Sequence, residues 1–244
     1  MSGANAVVNL ASVLNDESEA TCMSINEQGA VTVAHAAKVS NVRHMVHVSA
    51  IGVSSSSNSL YGQTKYYGEA GVRNAFPSAT IIKPSIIFGS NDHVLSKLHK
   101  LPIPYIPVIG EGNERFQPVY VGDVAATIAA AVTDAKVVGS SAASPGGGTP
   151  TGFVVECGGP DIFTFKELMH LVKTSSKTWK PIVHVPIPVA RFLGAVCAVV
   201  QAKPMITWDQ VEMMVAKDNV VTGVGMHSMG ISPTPLSKVL TTIV

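Results

Sequence analysis

The first 84 residues alternate between short apolar runs and segments suited to helices, and this alternation limits the fold more than any other feature. Apolar runs at residues 5–12, 44–49 and 79–83 are predicted to be buried strands. Residues 24–39 and 61–74, which lie between them, are predicted to be helices. Because a strand, helix, strand, helix, strand order is typical of parallel sheets with crossover helices, the sequence predicts an α/β fold.

The second half of the chain has a different character. Residues 101–118 are rich in proline and glycine and are predicted to be a loop, and residues 139–152 form a Ser/Ala/Gly/Pro segment without hydrophobic period. We interpret the latter as a flexible surface insertion. It divides a first domain, residues 1–138, from a smaller and mostly helical C-terminal lobe, residues 153–244.

The most apolar window, residues 186–201, is predicted to be a helix with two interpretations. It forms the core of the C-terminal lobe, or it docks against a membrane-embedded or neighbouring subunit. Because the window is short and contains two prolines and Arg191, it does not qualify as a membrane-spanning segment.

Composition excludes some classes of function. The chain has 17 basic and 16 acidic residues and a net charge of +1, so it lacks the basic excess that would favour nucleic acid. Charged residues make up 14% of the chain, against roughly 25% in an average soluble protein, which favours burial of the surface against partners. The three cysteines and eight histidines show no metal-ligand spacing, so we expect no metal site.

Tyr61 and Lys65 carry the main chemical signal. Residues four apart share one face of a helix, so the ammonium of Lys65 is expected to lie beside the phenol of Tyr61 and to lower its pKa. A phenol of lowered pKa can act as a general acid or base for a carbonyl or an alcohol. Ser49 ends a predicted strand, where its hydroxyl could face the phenol. The alternative is a solvated pair on a helix surface.

The ordered series of motifs resembles a known family. Asn9-Leu-Ala-Ser12, Tyr61-x-x-x-Lys65 and Lys83-Pro-Ser-Ile-Ile-Phe-Gly89 are similar to segments of the extended or atypical short-chain dehydrogenase/reductases, the NAD-dependent epimerase/dehydratase-like proteins. The resemblance implies that residues 1–138 form a partial Rossmann-like domain that binds NADH or NADPH.

The same resemblance implies roles for individual residues. Ser49, Tyr61 and Lys65 correspond to the family's catalytic-type triad, and Lys65 would also bind the nicotinamide ribose. The remaining cofactor contacts would be Leu10, Ala11 and Ser12 near the adenosine side, Pro84, Ser85 and Ile86 at the nicotinamide, and Asn26 as the helix asparagine that supports the lysine.

Within that family, the series is most similar to the NAD(P)H-binding accessory subunits of mitochondrial complex I. This implies a non-catalytic subunit on the matrix side of the inner membrane, with the other complex I subunits as partners and at most peripheral contact with the membrane. The intact Ser49, Tyr61 and Lys65 leave two alternatives open, an active reductase or epimerase and a module that senses the redox state of the cofactor.

The sequence departs from the family pattern in one respect. No Gly-x-x-Gly-x-x-Gly turn is present, and the match places residue 1 just before the family's fourth strand. We therefore expect impaired cofactor binding and an unpaired edge at residues 5–11. An incomplete gene model, a fragment, or a partner that supplies the remaining strands would each account for this, and a transit peptide would belong to the missing part.

Overall fold

The structure is a computed structural model that describes residues 3–14, 18–90, 103–133, 152–200, 207–216 and 218–243, with only the backbone described at 197–200 and 241–243. In chain order, the strands are β1 (Ala6–Asn9), β2 (His44–Val48), β3 (Thr80–Pro84), β4 (Ile87–Phe88), β5 (Ile106–Ile109), β6 (Arg115–Phe116), β7 (Val119–Tyr120), β8 (Val154–Cys157), β9 (Phe163–Thr164) and β10 (Ile182–Val185).

The helices surround these strands. They are α1 (Glu19–Cys22), α2 (Ala30–Val39), α3 (Leu60–Ala75), α4 (Val121–Val132), α5 (Phe165–Ser175), α6 (Ile187–Val200), α7 (Trp208–Met214) and α8 (Leu236–Ile243). A π-helix, Met23–Gly29, joins α1 to α2, and a 3-10 helix, Met226–Met229, precedes α8.

The central sheet has the order β1-β2-β3-β8, and every pair in it is parallel. Successive residues of each inner strand point to opposite faces. Met45 and Ile81 pack against α2 and α3, whereas Val46 and Ile82 pack on the other face with Val155. Both faces are therefore covered, as expected for parallel strands. The predicted α/β class with a parallel sheet is confirmed.

The strand pairing cuts across the predicted domain boundaries. β8 belongs to the predicted C-terminal lobe but pairs with β3 in the central sheet. Conversely, β5 lies in the predicted loop at residues 101–118 and pairs in parallel with β10. β5 is short and contains Pro107, which is why composition suggested a loop. The domain boundaries at residues 138 and 153 remain a prediction. The central sheet contains strands from both sides of them.

The predicted insertion, residues 139–152, lies outside the described residues except for Gly152. The Gly152 amide donates to the Pro77 carbonyl over 2.8 Å. A Cβ at this position would overlap the backbone of Ala79. The chain therefore enters β8 against the turn that precedes β3, and only glycine fits there.

Helix α6 combines a buried side with an exposed apolar side. Ala190 packs with Ile109 and Val211, which supports the core interpretation, while Phe192 is 68% exposed. Further exposed apolar side chains on this helix are Val189, Leu193 and Val196. Among the helices of the described residues, none is long and apolar enough to cross a membrane.

Candidate functional site

The carboxyl ends of β1, β2 and β3 meet the first turns of α3 around a cavity of about 670 Å³. Such strand ends are where α/β sheets bind their ligands. Most residues predicted to form the site line this cavity: Leu10, Ser12, Ser49, Tyr61, Lys65, Pro84, Ser85 and Ile86. Two predicted residues, Ala11 and Asn26, are not part of the lining.

Asn26 lies in the π-helix, and its side chain is fully buried. Its Oδ1 accepts hydrogen bonds from Ser12 Oγ (3.0 Å) and the Val13 amide (2.9 Å). Its Nδ2 donates to the Val13 carbonyl (3.0 Å) and to Thr64 Oγ1 (3.1 Å). Asn26 therefore fixes the segment after β1 against α3, and it does so through Thr64, the residue before Lys65.

Lys65 is 1% exposed, and its Nζ donates to the Val48 carbonyl over 2.6 Å. Burial lowers the pKa of Lys65 to about 8, and the nearby Glu69 carboxylate opposes this shift. Glu69 is itself paired with Lys83 at 3.0 Å and Arg73 at 2.9 Å. The ammonium of Lys65, on α3, is thus buried next to the end of β2, where it donates to a backbone oxygen.

The pKa of Tyr61 departs from the prediction. Burial raises the pKa of the phenol above its ordinary value, the Ser12 hydrogen bond acts against this, and the Asp209 carboxylate adds to it. We expected Lys65 to lower that pKa. The prediction was wrong because removal from water dominates the pKa of the phenol, while Lys65 directs its ammonium to the Val48 carbonyl.

Ser49 supplies a hydroxyl without a partner. It is 3% exposed, its backbone amide donates to the Ile82 carbonyl over 2.8 Å, and its Oγ has no hydrogen-bond partner among the described residues. Since a buried polar atom without a partner is costly, this hydroxyl suits a ligand oxygen in the cavity. Ser49 and Lys65 therefore bring a free hydroxyl and a buried amine to the same cavity, where they could hold the oxygens of a ligand.

His47 lies in β2, close enough to Lys65 to be affected by its charge. Its Nδ1 accepts from Asn9 Nδ2 at 3.1 Å. Burial lowers the pKa of His47 to about 4, and the charge of Lys65 contributes in the same direction. His47 is therefore neutral near pH 7.

In the described part of the chain, no group of three or more His, Cys, Asp or Glu side chains could hold a metal ion.

The C-terminal part of the chain contributes residues that the sequence did not predict. Asn219 lines the cavity and its side-chain Nδ2 donates to the Ile51 carbonyl (3.1 Å). The backbone carbonyl of Asn219 accepts from Ser85 Oγ (3.0 Å). Asp209 accepts hydrogen bonds at the start of α3. Both contacts join residues more than a hundred positions apart, so no local spacing indicated them.

Comparisons with known proteins identify the family of this chain. A family profile described as the NAD dependent epimerase/dehydratase family matches residues 1–142. "NADH dehydrogenase [ubiquinone] 1 alpha subcomplex subunit 9, mitochondrial" of Arabidopsis thaliana is 34% identical over 198 residues, covering 80% of this chain and 46% of the relative. The Mus musculus protein of the same name is 32% identical over 210 residues, covering 84% and 52%. The chain thus spans about half the length of these relatives.

A solved structure shows the same fold at low identity. The UDP-glucuronic acid 4-epimerase from Bacillus cereus, in complex with UDP-glucuronic acid and NAD, superposes with a TM-score of 0.64. It is 16% identical, and the match covers 97% of this chain and 73% of the epimerase. At this identity the likeness concerns the fold alone, and it confirms the Rossmann-like architecture implied by the resemblance.

Proposed function

Because the chain belongs to the NAD dependent epimerase/dehydratase family, we propose that it binds NADH or NADPH and serves as a non-catalytic accessory subunit of respiratory complex I. In this role the dinucleotide stabilises the subunit and its place in the assembly. The partners are the other complex I subunits. The location is the matrix side of the mitochondrial inner membrane, with peripheral membrane contact through the exposed side of α6.

The buried Ser49 hydroxyl is the observation on which the binding proposal rests. Ser49 and Lys65 would hold the nicotinamide ribose, Pro84, Ser85 and Ile86 would face the nicotinamide, and Leu10 and Ser12 would lie toward the adenosine side. A bound dinucleotide supplies a hydride donor or acceptor. Residues 1–244 contain no Gly-x-x-Gly-x-x-Gly turn, so we propose that they hold the nicotinamide half better than the pyrophosphate.

Two observations support an accessory role over turnover. The relatives reported above carry the name of a complex I subunit. In addition, the phenol of Tyr61 has a raised pKa, so it stays protonated near neutral pH and a smaller fraction of it is available as phenolate than in a tyrosine with a lowered pKa. The dinucleotide would then act as a structural ligand, which stabilises whatever state binds it.

The accessory role predicts co-migration with complex I. The full-length gene product, tagged and expressed in its own cells, should run in the native-gel band that oxidises NADH. Ser49→Ala should reduce the co-migrating fraction, while Ser56→Ala, in the exposed loop before α3, should leave it unchanged. A protein found entirely outside that band would contradict the proposal.

A second candidate is an active reductase or epimerase, which the presence of Ser49, Tyr61 and Lys65 around one cavity favours. Ser49 would hold the carbonyl oxygen of a small substrate, and Tyr61 would give its proton to that oxygen. This candidate predicts carbonyl reduction by the full-length protein that falls at least about a hundredfold in Tyr61→Phe. Tyr67→Phe, on the exposed face of α3, is the matched control. Absence of turnover with the cofactor bound would eliminate this candidate.

A further inference from the structure

The start of α3 receives an unusual cap from a distant segment. Ser59 is the N-cap residue, and its Oγ accepts from the Gly62 amide over 3.1 Å. The amides of Leu60 and Tyr61 instead donate to Asp209, over 2.5 Å to Oδ1 and 3.4 Å to Oδ2. Amides in the first turn of a helix have no partner within the helix, so Asp209 satisfies two of them from another element.

Asp209 also accepts a hydrogen bond from the N-cap residue, Ser59. Ser59 Oγ donates to Asp209 Oδ2 over 3.0 Å, so the hydroxyl that caps α3 is held by the same carboxylate. A negative charge at a helix N-terminus is favourable because the helix dipole places partial positive charge there. The carboxylate therefore binds three groups within three consecutive residues, and the last of these residues is Tyr61.

The helix that carries Asp209 is itself fixed in place. Glu212, one turn further along α7, accepts from Arg191 on α6 through both oxygens, at 2.6 and 3.1 Å, and its side chain is 3% exposed. Arg191 also lies over the ring of Trp208, 5.4 Å from its centroid. Met213, near the end of α7, lines the cavity. Helix α7 thus contacts the site through Asp209 and Met213. Arg191 of α6 holds α7 in place through Glu212.

We propose that Asp209 is a positioning residue of the dinucleotide site: its carboxylate closes the N-terminus of α3, fixes where Tyr61 stands and places a negative charge beside that residue. The part concerning the dinucleotide rests on the function proposed above. The part concerning the phenol does not, because it can be measured without any ligand.

The central variant is Asp209→Asn, which keeps one oxygen acceptor and removes the charge. The full chain is labelled with ¹³Cζ-tyrosine, the Tyr61 signal is assigned by its loss in Tyr61→Phe, and the signal is followed from pH 7 upward while near-UV circular dichroism reports a folded protein. Tyr61 should titrate at lower pH in Asp209→Asn than in the wild type. An unchanged titration would overturn the proposal, since a merely structural cap leaves the phenol's proton affinity unaltered.

The second readout is NADH binding, measured by the fluorescence of the reduced nicotinamide. Asp209→Ala should weaken binding about five- to tenfold, the size expected for loss of a helix cap at a ligand site. Glu167→Gln is the matched control, because Glu167 caps α5 through Thr164, away from the cavity, and glutamine retains that capping box. Equal losses in both variants would contradict the proposal.

The two readouts separate the possible failures. If the wild type binds no NADH but the Tyr61 signal shifts in Asp209→Asn, the function proposed above fails and the positioning role stands. If NADH binds and the Tyr61 signal does not shift, the positioning role fails alone.

Discussion

Gly68→Ala is expected to lower the free energy of unfolding by about 2–3 kcal/mol. Gly68 lies in α3 where the helix crosses the π-helix, and a Cβ there would overlap the backbone carbonyl oxygen of Asn26. Alanine normally favours a helix interior by about 1 kcal/mol over glycine, so the clash must exceed that gain. It does so because backbone atoms cannot rotate away. Urea denaturation of both proteins measures the difference.

Gly71→Ala provides the matched control. It lies one turn further along α3, but the atom that a Cβ would meet belongs to the half-buried side chain of Val31, which can shift more readily than backbone atoms. We expect less than half the loss seen for Gly68→Ala. Equal stabilities for Gly68→Ala and the wild type would show that α3 and the π-helix separate readily, contrary to the packing described.

The consequence of Gly68→Ala extends to the site. Asn26 holds Ser12 and Val13 on one side and Thr64 on the other. A displaced Asn26 backbone would loosen the segment after β1, which lines the cavity through Ser12. We therefore expect weaker dinucleotide binding in this variant as a secondary effect of lost packing.

The strands and helices around the cavity were predictable because their signals are contiguous. The apolar runs predict β1, β2 and β3, and the structure confirms them with bounds shifted by a few residues. A helical segment is likewise present where residues 24–39 predict one. The π-helix within it was not predictable, because one wide turn barely alters the spacing of apolar residues.

Contacts between distant segments were not predictable. β5 and β10 are four residues each, and their pairing joins sequences more than seventy residues apart. Asp209 lies 148 positions after Tyr61, and nothing local in the sequence relates the two residues. The direction of the Tyr61 pKa failed for a related reason. Helical spacing indicates which side chains are neighbours, but the depth of burial depends on the whole fold.

Lys65→Met is expected to abolish the alkaline rise in stability that the wild type shows. The pKa of Lys65 lies near 8 in the folded state and at 10.5 in its ordinary state. Between these values the unfolded chain binds more protons than the folded chain, so the free energy of unfolding increases with pH. From about pH 8 to about pH 9.5 the Lys65 contribution rises by about 2 kcal/mol. It is measured as the difference between the two proteins, because the pKa of the Cys157 thiol, which burial raises to about 12, lowers the stability of both with increasing pH. Urea denaturation at several pH values measures it.

Lys65→Met should also be more stable than the wild type near neutral pH. The variant no longer buries an ammonium, which relieves roughly 3 kcal/mol, while the Val48 carbonyl loses its donor at a cost of about 1 kcal/mol. Under the proposed function, the same variant should bind NADH about tenfold more weakly or worse, because the ribose loses its cation. A gain in stability together with a loss of binding is typical of a residue retained for its ligand.

Lys83→Met distinguishes this effect from the general loss of a lysine. Lys83 lies on β3 and pairs with Glu69 Oε2 at 3.0 Å, and its removal leaves Glu69 with Arg73. The control keeps Lys65, so it should retain the alkaline rise and should not gain stability near neutral pH. If the stability of Lys65→Met also rose with pH, the amine of Lys65 would not be the source of the rise. The cavity would then have to contain enough water to solvate the ammonium. Lys65 would then be a poor anchor for a ribose, because its charge would interact with solvent rather than with the ligand.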